Sequence, residues 1–229
     1  MAQEGMDRSR VLEAAAAAAT VTVGVALLGL VLGLVLAAKA AAGLAQPIDD
    51  AVRTWLEAHT STTNPFASIL GLLFGAGAMT MLAALGGLVA WWRTRRPLFA
   101  FAPFVVALAA DAVVLVVKEV VARPRPALIA GPLGDRFSFP SGHATVSAAV
   151  LVAIALTWVR PDRRKAALVA AGVSATLVAA SRLVLGVHWL SDVVIGAALG
   201  TLLAISLTRV GGGLLESERL SHEREGQAR

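Results

Sequence analysis

Residues 98–121 read LFAFAPFVVALAADAVVLVVKEVV, an apolar run broken only by Asp111, Lys118 and Glu119. At about 1.5 Å per residue, a helix of this length crosses the ~30 Å hydrocarbon core of a bilayer. Five further stretches have the same character: 12–38, 66–92, 142–159, 165–186 and 189–209. The expected fold is all-α, an integral membrane bundle of six transmembrane helices.

Composition agrees. The chain is 57% hydrophobic and 15% charged, with a mean hydropathy of +0.75, whereas soluble domains carry roughly 25% charged residues. Cysteine is absent, which excludes disulfides, zinc-thiolate sites and a cysteine nucleophile. The net charge of +5 sits in short loops between apolar runs. That pattern reads as membrane topology rather than nucleic-acid binding.

Arg8 and Arg10, Arg93 to Arg96, Arg160 to Lys165, and the tail from Arg209 form one set of basic loops. The positive-inside rule places that set, with both termini, in the cytoplasm. The intervening loops mix Lys39, Arg53 and Arg136 with Asp49, Asp50, Glu57 and Asp135, and are expected outside. The apolar core of stretch 12–38 is longer than that of a signal peptide, so it is read as a retained helix.

Residues 1–11 are then a cytoplasmic N-terminus, and 12–209 the membrane domain. In the outer loop 39–65, Ile48, Val52, Trp55 and Leu56 share a helical face. They predict a short helix, lying in the interface or packed on the bundle. The tail 210–229 is polar and expected to be disordered. Gly29-x3-Gly33 and Gly196-x3-Gly200 match a helix-packing motif. They point only weakly to a homodimer, and packing within one chain explains them better.

Three segments place polar groups against the hydrophobic pattern. They are Lys118-x6-Arg125-Pro126, Pro140-Ser141-Gly142-His143 and Ser181-Arg182-x5-His188-x3-Asp192. With alternating helix directions, all three fall at one membrane face. Lys118, Arg125 and Arg182 would repel one another without an anion between them. Guanidinium forks suit phosphate oxygens, and lysine adds a point charge. Ser141 stands at a helix N-cap position, and the amides of Gly142 and His143 open a ready anion site. Gly142 allows close approach of a ligand to the backbone.

His188 and Asp192, four apart, share a helical face. The carboxylate can hold the Nδ1 proton and leave Nε2 as the nucleophile. His143 is suited to protonate a leaving oxygen and then activate water. A phosphohistidine intermediate would divide one displacement into two easier ones.

Together these motifs resemble the signature of the type-2 phosphatidic acid phosphatase superfamily, the lipid phosphate phosphatases, with no departure at a motif position. The motifs cover roughly residues 98–200. The resemblance implies a metal-independent phosphomonoesterase or diphosphatase with a phosphohistidine intermediate. Its catalytic residues would be His188, His143 and Asp192, and its phosphate ligands Lys118, Arg125, Ser141, Gly142 and Arg182. Similar proteins act on phosphatidic acid, phosphatidylglycerol phosphate or polyprenyl diphosphate. Soluble relatives hold vanadate in the same pocket.

Plainer readings exist for single residues. Lys118, Arg123 and Arg125 can be interfacial anchors, Ser141 a simple cap, and His188 with Asp192 a structural pair. Asp111 is read as a structural group within its helix rather than part of the cleft. Glu119 is read as interfacial, and His59 and His222 as solvated. No cofactor is expected, and a divalent metal would be repelled by the cations.

The expected function is hydrolysis of a lipid phosphate or diphosphate at the outer face of a bacterial inner membrane, with lipids as partners. Two alternatives are a non-catalytic lipid-phosphate binder and a lipid phosphotransferase using the same intermediate.

Overall fold

The computed structural model describes residues 44–126 and 136–227. The chain divides into two compact units, Met1–Leu44 and Ala45–Arg229, and the second carries everything that follows. The expected helix 12–38, with Gly29-x3-Gly33, lies outside the described residues.

Seven helices occur among them: α1 (residues 45–59), α2 (Pro65–Leu73), α3 (Ala76–Thr94), α4 (Pro97–Val121), α5 (Gly142–Thr157), α6 (Arg164–Val184) and α7 (Leu190–Gln227). Their starts follow local chemistry. Asn64 caps α2 by accepting the Ala67 amide at 3.0 Å, and Pro65 occupies the first turn, where its missing N–H costs nothing. Pro97 opens α4 in the same way.

Helices α4, α6 and α7 (to Gly211) are each long and apolar enough to cross a membrane. The expected stretch 66–92 is instead two helices, α2 and α3, bent by 43° where Phe74 and Gly75 interrupt them; taken together they too meet that test. The expected stretch 142–159 is the shorter α5. The polar tail that composition marked as disordered remains helical to Gln227. Its Glu, Arg and Leu residues are good helix formers.

Helix α5 is the centre. It packs against α3, α4, α6 and α7 and is buried around most of its circumference, including Val146, Val150, Ala153, Thr145 and Ser147. A helix that is apolar all round belongs inside a bundle. Gly196 and Gly200 let α7 approach it: a Cβ on either would run into Thr145. That pair therefore serves packing within the chain, as expected.

The outer surface inverts the soluble pattern. Leu85, Leu88, Val105, Leu115, Val116, Val173 and Val194 are large, apolar and exposed, as expected of a face turned to lipid. Helix α1 presents Asp49, Val52, Arg53 and Leu56 to a groove shared with the α6–α7 turn, and leaves Ile48 and Trp55 exposed.

Candidate active site

The C-terminal ends of α4 and α6 and the N-terminal ends of α5 and α7 meet at one end of the bundle, and bring the three motif segments together. The chain leaves α4 through Ala122, which adopts a left-handed conformation (φ 52°) and donates its amide to Lys118 O at 2.8 Å. Arg123-Pro124-Arg125-Pro126 follows. A residue before proline is driven out of the α region, so both arginines sit on extended backbone. Pro124 bridges Phe137, and Ser138 donates its amide to Arg123 O at 2.8 Å. In an extended strap, residues two apart share a face. Accordingly, Arg123 and Arg125 both reach the α6–α7 region.

Arg125 donates to Val187 O at 2.7 Å and stands 3.3 Å from His188 Nε2. Guanidinium is always a donor, so that contact requires a lone pair on Nε2. The His188 proton is then on Nδ1, which faces Asp192 Oδ2 at 3.5 Å. This is longer than an ideal hydrogen bond. The carboxylate itself is fully buried, and its Oδ2 also accepts the Trp189 amide at 2.9 Å. Burial holds the His188 imidazole below the ordinary histidine range; Asp192 pulls it upward, while Arg125 and Lys118 push the same way as burial. Gly186 makes the turn before it with φ +67°, a conformation that glycine adopts without penalty.

Lys118 is buried and donates to Phe137 O at 3.0 Å. Arg182 donates to Ala67 O at 3.1 Å and lies 3.3 Å from His143 Nε2. It is also within electrostatic range of Arg125. Three cations thus border one region.

Ser141 occupies the N-cap position of α5 but makes no capping bond with its side chain. Its Oγ is buried without a hydrogen-bond partner among the described residues, while its amide donates to Asp192 O at 3.1 Å. Such a hydroxyl is costly unless something else engages it. A phosphate oxygen at the N-terminus of α5 would do so.

His143 Nε2 has two neighbours, Gly71 O at 3.2 Å and the Arg182 guanidinium at 3.3 Å. It must carry a proton to donate to the first and lack one to accept from the second. The same atom can therefore be held in either protonation state, which suits a group that gives and takes a proton.

Two groups were misjudged or missed from sequence. Arg123, read as an interfacial anchor, is buried and pairs with Asp192 Oδ1 and Asp49 Oδ2, each at 2.7 Å. The extended Arg-Pro-Arg-Pro geometry was the signal that could have paired it with Arg125. Gly71 supplies the carbonyl for His143, and a Cβ there would overlap the Arg182 guanidinium. Asp111 is half-buried on α4 and Glu119 is exposed.

The PAP2 superfamily model matches residues 99–214. Phosphatidylglycerophosphatase B of Bacillus subtilis (strain 168) is 41% identical over 93 residues, 38% of this chain and 46% of that protein. The chain thus spans about half the length of that relative. Decaprenylphosphoryl-5-phosphoribose phosphatase of Mycobacterium tuberculosis is 34% identical over 137 residues, 58% of this chain and 71% of that protein. Among solved structures, a transmembrane PAP2-type phosphatidylglycerolphosphate phosphatase from Bacillus subtilis superposes with a TM-score of 0.70 at 26% identity. That match covers 80% of this chain and 94% of the other.

Proposed function

The chain belongs to the PAP2 superfamily, and from that premise we propose that it is a membrane phosphatase that removes phosphate from a lipid through a phosphohistidine on His188. The observation that carries this reading is the His188 ring itself. Its Nδ1 faces Asp192 and its Nε2 faces Arg125, so the Nε2 lone pair points toward the cations that would hold a phosphoryl group.

Lys118, Arg125, Arg182, Ser141 and the amides of Gly142 and His143 would cradle the phosphate oxygens, whose charge spreads in the transition state. His188 Nε2 forms a bond to phosphorus as the bond to the leaving oxygen breaks, and His143 gives that oxygen its proton. Water then attacks the phosphohistidine, surrendering a proton to His143. Inorganic phosphate leaves, and both histidines return to their starting state. Asp192 stays ionised throughout and orients His188. None of these steps requires a metal.

Six spans, cytoplasmic termini and an outward-facing site complete the proposal, supported by the loop charges and by the common bundle end of the motifs. The lipid tail would lie along the exposed apolar helices with the headgroup at the site. The two relatives are named for glycerophosphate- and phosphoribose-bearing lipids. Phosphatidylglycerol phosphate and polyprenyl-linked phosphates therefore head the substrate classes proposed here, with phosphatidic acid beside them. A phosphate-release screen of the purified protein over these lipids, run in chelator, tests the reading. Release from at least one, inhibited by vanadate, is expected; none across the panel overturns it.

A further inference from the structure

We propose that Arg123 is a positioning residue for His188, acting through Asp192, and that it binds Asp49 of α1 into the same device. The inference rests on the phosphatase reading for what His188 does, but not for how His188 is held.

Both terminal nitrogens of Arg123 are engaged on two sides of this device. One terminal nitrogen of Arg123, Nη1, donates to Asp192 Oδ1 and to Ser191 Oγ, both at 2.7 Å. The other, Nη2, donates to Asp49 Oδ2 at 2.7 Å and Gln46 Oε1 at 2.9 Å. Asp49 in turn accepts the Ser191 amide at 2.9 Å and its hydroxyl at 2.6 Å, so it caps the start of α7 from another helix. The guanidinium lies 5.3 Å from the centre of the Trp189 ring, a cation–π distance.

Asp192 therefore has one oxygen committed to Arg123 and the other to the Trp189 amide and the His188 side. It cannot rotate toward or away from His188 without breaking a buried ion pair. Breaking one side of such a pair leaves an uncompensated charge in the interior. Lysine offers no substitute, because one ammonium cannot span both carboxylates as a planar fork does. Arg125 serves the reacting side of His188, and Arg123, two residues earlier on the same face, serves its anchored side.

The device also sets the charge around His188. Next to that ring stand Asp192 of α7, Arg125 of the strap, Lys118 of α4 and His143 of α5; Arg123 of the strap lies beyond Asp192, and Arg182 of α6 beside Arg125 and His143. From α1 come Asp49, Arg53 and Glu57, while α2 contributes no titratable side chain. Removing Arg123 subtracts a cation and leaves both carboxylates. The imidazolium form is then favoured, and the His188 titration midpoint moves up.

The test uses the full-length protein in detergent micelles, with phosphatidic acid in mixed micelles as probe, and the Arg123→Gln and Arg123→Lys variants. Phosphate release gives kcat and KM, and NMR of labelled histidine rings gives the His188 midpoint. Arg123→Gln is expected to lower kcat about 100-fold, the scale of a misplaced reacting group, with KM within about 3-fold and the midpoint raised. Arg123→Lys keeps the charge and loses the fork, so its midpoint stays near wild type while kcat falls about 10-fold.

A folded Arg123→Gln protein with wild-type kcat and an unmoved midpoint overturns the proposal, even if its melting temperature has dropped. Should the Gln variant fail to fold, wild-type kcat in the Lys variant overturns it equally. If wild type releases no phosphate from phosphatidic acid or the other lipid phosphates yet the midpoint still rises on Arg123→Gln, the phosphatase reading falls and the tether stands.

Discussion

Burial and two neighbouring cations hold His188 below the ordinary histidine range, and this has a kinetic consequence. Its neutral form is the proposed nucleophile, so activity persists as pH falls until the lowered pKa is reached. The acid limb of kcat/KM is expected below about pH 6.5, the ordinary histidine value. A limb above that value would contradict the assignment. Asp192→Asn removes the carboxylate that pulls the ring upward, so the limb should move further down. The lost tautomer control should lower kcat by about 10³–10⁴-fold. His188→Ala should abolish release altogether, and wild-type turnover in it would remove His188 as nucleophile. The motif residues were legible in the sequence because their types and spacings are those the chemistry needs. Arg123 and Asp49 were not, since each is an ordinary loop or helix charge until the chain folds and buries them against each other.

The break between α2 and α3 shows what helix geometry adds. A continuous helix over 65–94 would satisfy its own carbonyls. Instead, Ala67 O and Gly71 O are also met by Arg182 and His143, and Gly71 leaves space for the guanidinium. Gly71→Ala should displace Arg182 and reduce kcat/KM by about 10–100-fold, the scale of a small misplacement at a reacting site. Gly77→Ala, in the next helix with nothing within 4 Å of the added carbon, should leave kinetics at wild type. Equal losses in both variants would show that the position of Arg182 is not what Gly71 protects. The hydrophobic pattern located this segment as a span but could not locate its bend. Periodicity reports which side of a helix is apolar, and nothing about which backbone carbonyl a distant arginine will need.

At the scale of the molecule, the topology proposal has a direct check, because the chain contains no cysteine. Thr62→Cys lies in the α1–α2 connection and Asp162→Cys in the α5–α6 connection. A membrane-impermeant maleimide should label the first in intact cells and the second only after permeabilisation. The reverse pattern would invert the proposed orientation. By itself the sequence determined the helical membrane class, since runs that cannot face water must face lipid or one another. It also carries the basis of the proposed phosphate-binding chemistry, because the motifs hold the residue types and local spacings that chemistry requires. Only the tertiary structure decided that α5 is the buried centre, that α2 and α3 divide one apolar stretch, and that Arg123 joins Asp49 to Asp192. These depend on contacts between residues far apart in sequence, such as Arg123 with Asp49 and His143 with Gly71, more than seventy positions apart. Such contacts are selected by packing and by the pairing of buried charge, which no local pattern records.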